Sequence, residues 1–177
     1  MTDSDAELVS RVVDGDDRVA FERLVVRHQS GLRSFLRRLV GNDFARADDL
    51  AQETFIKLFK SIGTYRGESR FSTWLYRMAY TTFIDAQRRR VVETPFDESL
   101  HSPESGAALA PEEEWDIASA LRQLTDQQRA VFDLHYRNGM THREVADVLD
   151  MPLGTVKSVL VRGLDELKAL FAKRGRN

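Results

Sequence analysis

The sequence of 177 residues contains no cysteine, few histidines and no long apolar run. The lack of cysteine excludes disulfide scaffolds, thiol nucleophiles and zinc sites built on thiolates. Four histidines are too few for us to expect a histidine cage, a metal site or a cofactor. No apolar run approaches the roughly 20 residues that span a bilayer, and the acidic start lacks the regions of a signal peptide. We therefore expect a soluble, cytoplasmic protein.

The sequence also has no excess of positive charge: 26 basic and 28 acidic side chains give a formal net charge of -2. Nucleic-acid-binding domains usually have a pI above ~9, so the total argues against such a partner. The distribution is uneven, however. Residues 1–93 hold 16 basic and 14 acidic side chains, residues 116–177 hold 10 and 8, and residues 94–115 hold none and 6. Two mildly basic segments therefore flank an acidic one.

The acidic segment 94–115 has the composition of a flexible linker. It contains Pro95, Pro103 and Pro111 together with serine and glycine, and it shows no helical or strand periodicity. The hydrophobic fraction of 42% is sufficient for a buried core on either side. We predict an all-α protein with two small helical domains, 1–93 and 116–177, the second a helix-turn-helix.

The first domain shows the spacing of amphipathic helices. Apolar residues recur every three or four positions over residues 21–39 and again over 47–62, where the pattern stops at Gly63. A third helix is predicted over about 71–89 and a short one near 6–13. No alternating strand pattern competes, so we expect a four-helix domain.

The second long helix carries an acidic surface, defined as Asp48, Asp49, Gln52 and Glu53. A metal site is a weak interpretation, because di-metal bundles draw carboxylates from several helices. Two interpretations remain open. The residues are either a solvated acidic helix start favoured by the helix dipole or a docking surface for a basic partner helix.

The segment GTYRGESRFSTWLYR, between the predicted second and third helices, interleaves aromatic and basic side chains. Such a loop suits unpaired nucleic acid, because bases stack on aromatic faces for ~1 to 3 kcal/mol each and arginines neutralise phosphates. Phe71 and Trp74 could instead be core residues on a buried stripe. For Phe71, packing is the better explanation.

The second domain has the pattern of a helix-turn-helix. Thr125 and Thr141 are each followed three residues later by Gln or Glu, which predicts two capping boxes. The first of these helices has an apolar stripe and ends at Asn138 and Gly139; the second is followed by a short turn and a last helix. The predicted stripe comprises Val131, Phe132, His135 and Tyr136. A generic three-helix packing domain would share this periodicity.

Taken together, these motifs resemble the extracytoplasmic-function sigma factors, the small two-domain members of the bacterial sigma-70 family. The resemblance runs from about residue 7 to residue 171. It is strongest in AFERLVVRHQSGLRSFLRRLV, DDLAQETFIKLFKSIGTYRGESRFSTWLYRMA and LTDQQRAVFDLHYRNGMTHREVADVLDMPLGTVKS. It implies an alternative sigma factor that directs core RNA polymerase to a promoter class and initiates DNA melting, without making or breaking a bond.

The resemblance also implies three surfaces. The acidic surface would dock on the clamp helices of the polymerase beta-prime subunit. The residues implied to read and hold open the minus-ten element are Tyr65, Arg66, Glu68, Ser69, Arg70, Phe71, Ser72, Trp74, Arg77, Thr81, Arg88, Arg89 and Arg90. The residues implied to lie at the minus-thirty-five element are Thr141, Arg143, Thr155, Lys157, Ser158 and Arg162.

The implied partners are core RNA polymerase, through its beta-prime and beta subunits, promoter DNA, and an inhibitory anti-sigma factor, commonly membrane-tethered in this family. No small-molecule substrate is implied. The chain departs from the family pattern at Thr81, where many members have asparagine, and at Val159, Val161 and Leu164 in the recognition helix. Because Val159 and Leu164 replace cations, we expect a less basic minus-thirty-five reader with a flatter salt dependence.

Two other classes compete. A stand-alone helix-turn-helix regulator would explain the second domain, but it gives no reason for the acidic surface, the aromatic–basic loop and the arginine run to occur together. An enzyme lacks support, because the sequence shows no nucleophile–base pair, no phosphate-cradling glycine loop and no ligand set drawn from several helices.

Overall fold

The computed structural model describes residues 3–41, 43–93 and 124–174. The chain divides into two compact units, Met1–Thr94 and Pro95–Asn177. The described residues are helical and contain no strand, which confirms the predicted all-α class. The predicted acidic linker, 94–115, lies outside the described residues.

Four helices form the first unit. They are α1 (Asp5–Gly15), α2 (Arg18–Leu39), α3 (Phe44–Ser61) and α4 (Phe71–Glu93), and a 3₁₀ turn at Ile62–Thr64 follows α3. The first three begin at side-chain caps, because Ser4, Asp17 and Asp43 accept hydrogen bonds from backbone N–H groups three residues ahead. Each predicted helix of this domain is therefore present.

The core of the first unit lies between α2, α3 and α4. Leu24, Phe35 and Leu36 of α2 are fully buried, as are Leu58 of α3 and Leu75 of α4. The predicted stripes are confirmed in most positions, but Phe59 is 51% exposed. Its ring packs edge-on against Phe21, with 5.0 Å between the centroids.

Helix α1 is fixed across α2 by apolar burial and a group of ion pairs. Leu8, Val9 and Val12 are buried. Two arginines of α2 pair with acids at or just before the start of α1: Arg23 lies 2.9 Å from Asp3, and Arg27 lies 2.5 Å from Asp5. Exposed pairs of this kind contribute ~0 to 1 kcal/mol each, so the buried side chains supply most of the attachment.

Three helices and one π-helical turn form the described part of the second unit. The helices are α5 (Asp126–Phe132), α6 (His142–Leu149) and α7 (Leu153–Arg174), and the π-helical turn spans Asp133–Arg137. Both predicted capping boxes are present, at Thr125 and at Thr141. Gly139 has φ +64° where the chain turns into α6, a conformation that glycine adopts without strain.

One prediction is wrong at a residue within the π-helical turn. Tyr136 was expected on the apolar stripe, but its side chain is 54% exposed, while Asp133 and Leu134 are buried. A π turn adds a residue per turn and so shifts every following side chain around the axis. Tyr136 still packs against the ring of Phe132, at 5.6 Å between centroids.

Helices α5 and α7 approach closely at Gly163. A Cβ built at this glycine would lie 2.5 Å from Cε2 and 2.7 Å from Cζ of Phe132. Val156 and Leu160, on the same side of α7, are buried, as predicted. The side chain of Leu167, which was predicted to face inward as well, lies outside the described residues.

Candidate nucleic-acid interface

The acidic surface lies in the second and third turns of α3 rather than at its start. Helix α3 begins at Phe44, and its first turn contains no acidic residue. Because the dipole effect fades within the first turn, the helix-dipole interpretation is wrong. Asp49 and Gln52 are exposed, whereas Asp48 and Glu53 are half-buried.

Ion pairs with the neighbouring helices engage half of the acidic surface. Asp48 lies 3.5 Å from Arg33 and 3.7 Å from Arg37, both on α2. Glu53 lies 2.9 Å from Lys57 on its own helix and 3.4 Å from Arg89 on α4.

The pKa of Glu53 is lowered, chiefly by the hydrogen bond from Lys57. Burial is the second-largest effect and raises the pKa, while the charges of Lys57 and Arg89 lower it further. The carboxylate is therefore ionised at neutral pH. Glu53 therefore links α3 to the arginine run of α4, which comprises Arg88, Arg89 and Arg90.

The loop between α3 and α4 is built on three aromatic rings. The ring of Tyr65 lies 5.2 Å from that of Trp74 and 5.7 Å from that of Phe71. The Tyr65 hydroxyl donates a hydrogen bond of 2.6 Å to the carbonyl of Ser69, which closes the loop on itself. Gly67, at φ +72°, supplies the turn between them. We call these three rings the aromatic platform.

Within the platform, Phe71 is the buried ring, whereas Tyr65 and Trp74 are half-buried. Phe71 is 3% exposed, which confirms the packing interpretation. Its ring lies 5.3 Å from that of His28, and Nε2 of His28 lies 2.8 Å from a carboxylate oxygen of Asp5. The first turn of α1 thus supports the loop through α2. Burial, and to a lesser degree the charge of Asp5, raise the pKa of Tyr65, so the phenol stays protonated and keeps its hydrogen bond.

The remaining predicted minus-ten residues lie at or near the surface. Ser69, Ser72 and Trp74 are half-buried, and the following are exposed: Arg66, Glu68, Arg70, Arg77, Thr81, Arg88, Arg89 and Arg90. Thr81 donates its hydroxyl to the carbonyl of Arg77 at 3.0 Å. That proton is used within α4, which leaves the oxygen lone pairs for an outside donor.

In the second unit, Thr141 caps the N-terminus of α6. Its hydroxyl accepts from the N–H of Glu144 at 3.3 Å and lies 2.8 Å from the Glu144 carboxylate. Arg143, also on α6, is exposed. On α7, Ser158 is half-buried and donates to the carbonyl of Thr155 at 2.9 Å. Thr155, Lys157 and Arg162 are exposed.

Two features of the site lack a local signal in the sequence. The Glu53–Arg89 pair joins residues 36 positions apart, and the Asp5–His28 pair joins residues 23 positions apart. No fixed spacing predicts such contacts, because they depend on how the helices cross.

Within 3–41, 43–93 and 124–174, no group of three or more histidines and carboxylates is placed to hold a metal ion. Among the helices that the structure describes, none is both long and apolar enough to cross a bilayer.

A helical unit with acidic and aromatic–basic surfaces, followed by a helix-turn-helix unit, is the architecture of a DNA-binding transcription factor. Residues 24–91 match the family Sigma-70 region 2, and residues 115–167 match Sigma-70, region 4. The chain is 35% identical to the RNA polymerase sigma-H factor of Pseudomonas aeruginosa, over 95% of this chain and 94% of the relative. It is 34% identical to the ECF RNA polymerase sigma-E factor of Escherichia coli, over 93% and 92%. The chain therefore belongs to the sigma-70 family, as an extracytoplasmic-function sigma factor, which confirms the predicted family.

Solved structures agree on the fold. The sigma factor RpoE from Bartonella quintana, in complex with the anti-sigma factor NepR, superimposes with a TM-score of 0.73 at 22% identity, over 86% of this chain and 96% of that one. CnrH, in complex with the cytosolic domain of CnrY, gives 0.69 at 24% identity, over 97% and 99%. At these identities the likeness bears on the fold alone.

Proposed function

We propose that the chain binds core RNA polymerase through its first unit and directs it to one class of promoter, where the first unit opens the minus-ten element and the second holds the minus-thirty-five element. One observation carries this proposal: regions 2 and 4 of the sigma-70 family occur in order in a single chain. On this proposal the chain is a transcription initiation factor that performs no covalent chemistry.

Polymerase docking is assigned to the acidic surface. Asp49 and Gln52 are exposed and available to a cationic partner helix. Asp48 and Glu53 already have partners within the unit, so a polymerase cation must share them or displace those partners. Arg89 would then be released from Glu53 where the arginine run meets DNA.

Opening of the minus-ten element is assigned to the aromatic platform and α4. Removing a base from the stack costs a few kcal/mol, and capture of that base by the protein offsets the cost. Tyr65 and Trp74 offer ring faces, while Arg66 and Arg70 supply positive charge beside them. Phe71 would act from beneath by holding both rings. The remaining minus-ten assignments are Glu68, Ser69, Ser72, Arg77, Thr81, Arg88, Arg89 and Arg90.

Contact with the minus-thirty-five element is assigned to α7, which would lie in the major groove as the recognition helix. Thr155, Lys157, Ser158 and Arg162 line its outward side. Arg143, on α6, would contact the backbone. Because the Thr141 hydroxyl caps α6, we assign this residue mainly to fixing the start of that helix.

The proposal also includes the domain boundaries, an inhibitory partner and a cellular location. We place the domain boundaries at 1–93 and 116–177 with a flexible linker between them, which would let the two units reach two promoter elements. The RpoE of Bartonella quintana was solved with an anti-sigma factor. We propose a partner of that class here and a cytoplasmic location, with capture at the inner membrane when the partner is membrane-tethered.

Reconstitution with core polymerase tests the proposal. Run-off transcription of fragmented genomic DNA by core enzyme, with and without the purified chain, should give discrete transcripts only when both are present. The variant Asp49→Lys should lose core binding and transcription together, because the reversed charge repels a cationic partner helix. The fold should be kept, because Asp49 is exposed and its loss disturbs no described contact. Sequence-specific duplex binding by the chain alone, with no effect on transcription start sites, would instead identify a stand-alone regulator.

A further inference from the structure

Val161 is an apolar residue of α7 whose side chain is exposed to solvent. It is 60% exposed, and its exposed neighbours Lys157 and Arg162 are charged. A single exposed valine is ordinary on a protein surface and indicates nothing by itself. Its position among the proposed DNA contacts is what distinguishes it.

Helical geometry places Val161 inside the arc of those contacts. At about 100° per residue, Val161 lies about 40° from Lys157 and about 60° from Ser158 around the axis, between the two. Gly154 falls close to the same line about two turns further toward the N-terminus, and it has no side chain. Within the first ten residues of α7, Val161 therefore supplies the one side chain that lies between Lys157 and Ser158 around the axis.

The same line also shows where the DNA-facing part of α7 ends. Asp165 lies one turn beyond Val161 and is exposed, with its carboxylate 3.7 Å from Lys168. A carboxylate on this line repels phosphate, so the groove-facing part of the helix extends to about Arg162. Val161 is within it.

The chemistry of the side chain then limits what it can read. Valine can neither donate nor accept a hydrogen bond. In the major groove the apolar feature of the base edges is the C5-methyl group of thymine, which distinguishes a T·A pair from the others.

We propose that Val161 is a specificity-determining residue that packs against the C5-methyl group of one thymine in the minus-thirty-five element. This inference rests on the proposed function. It explains how a helix whose first ten residues hold two cations, Lys157 and Arg162, can read sequence: part of the recognition is apolar and independent of salt. Loss of one such methyl contact should weaken binding about three- to fivefold.

The test uses the full chain bound to core polymerase. A duplex library, randomised across the upstream element, is first enriched by binding to this holoenzyme. Each thymine of the enriched element is then replaced singly by deoxyuridine, which pairs identically and lacks only the methyl group. One position should lose about three- to fivefold in affinity. In the Val161→Ala holoenzyme the same replacement should have no effect.

Val26→Ala is the matched control, because Val26 is 61% exposed on α2, outside every proposed DNA contact. Its holoenzyme should retain full sensitivity to deoxyuridine. If Val161→Ala keeps that sensitivity, the inference is wrong. If it weakens core binding instead, the inference is also wrong, and a polymerase subunit covers this residue. If no sequence is enriched, the proposed function fails as well, so the two failures are distinguishable.

Discussion

At the scale of single residues, the molecule shows how close packing and shared charges restrict what a position can hold. Gly163 has space for no side chain beside Phe132. Glu53 forms ion pairs with two cations, Lys57 on α3 and Arg89 on α4. Both residues lie away from the aromatic platform and the outward face of α7, and both set the relative placement of the elements that carry those surfaces.

Gly163→Ala should destabilise the second unit by about 1 to 3 kcal/mol, because the added methyl group forces Phe132 to move within a packed interface. Hydrogen exchange measured by mass spectrometry on peptides from 124–174 should show faster exchange in α5 and α7. Gly154→Ala is the control. A Cβ there meets nothing within 4 Å, so the better helix former should leave exchange unchanged or slow it. Equal effects of the two substitutions would contradict the packing argument.

Glu53 should make a pH-dependent contribution to the stability of the first unit. Its pKa is lowered from an ordinary value of 4.5, so the stabilisation is fully present above pH 4.5 and disappears as the pH falls through the lower pKa of the folded state. Urea unfolding of the wild type and Glu53→Gln between pH 3 and 7 should give curves that differ at neutral pH and converge in acid.

The difference at neutral pH should be small, at most about 1 kcal/mol, because the carboxylate is partly exposed to solvent and the pairs are screened. A gap between the two curves that persists unchanged at pH 3 would show that the effect of the substitution is not electrostatic. Lys57→Met, which removes the principal partner, should reduce the same pH dependence.

At the scale of elements, the sequence predicted the helices of both units because amphipathic spacing and capping residues are local signals. The caps at Thr125 and Thr141 needed only a threonine and a partner three positions later. The π-helical turn at Asp133–Arg137 could not be predicted, because it depends on hydrogen bonds that the side-chain pattern does not encode. Tyr136, whose burial was predicted wrongly, lies within this turn.

The candidate site divides in the same way. Residue types along α3, the loop and α7 sufficed to nominate the surfaces. The burial of Phe71 was also predicted correctly from its position on an apolar stripe. Which acids are already paired could not be predicted, because those pairs depend on the packing of α2, α3 and α4 together.

Thr141→Ala should destabilise the helix-turn-helix by about 0.5 to 2 kcal/mol, because two backbone N–H groups at the start of α6 lose their capping arrangement. Hydrogen exchange should accelerate mainly in the first turn of α6. Thr141→Ser is the matched control, since it keeps the capping hydroxyl and should behave as the wild type. If the serine variant were equally destabilised, the methyl group rather than the cap would be responsible.

At the scale of the whole molecule, the net charge of -2 no longer argues against DNA. The basic residues are concentrated in the two outer segments, and a protein that meets DNA as part of a polymerase complex needs little overall positive charge. Each phosphate contact should still contribute its own share of the salt dependence.

Arg88→Gln in the reconstituted holoenzyme should reduce the slope of log K against log salt by about 0.9, the value for one lost phosphate contact. Promoter affinity measured across a range of potassium concentrations gives the slope. Arg18→Gln, at the exposed first residue of α2, lies outside the proposed contacts and should leave the slope unchanged. An unchanged slope for Arg88→Gln would remove this residue from the DNA-binding surface.

The aromatic platform also provides the chain with a spectroscopic probe. The sequence contains two tryptophans, and one of them, Trp74, lies within 5.2 Å of the Tyr65 ring where a captured base would stack. Fluorotryptophan incorporated into a Trp115→Phe chain would give a single ¹⁹F resonance, visible against unlabelled core enzyme. Ring currents from an arriving base would shift that resonance, so the step at which the duplex opens could be timed from within the protein itself.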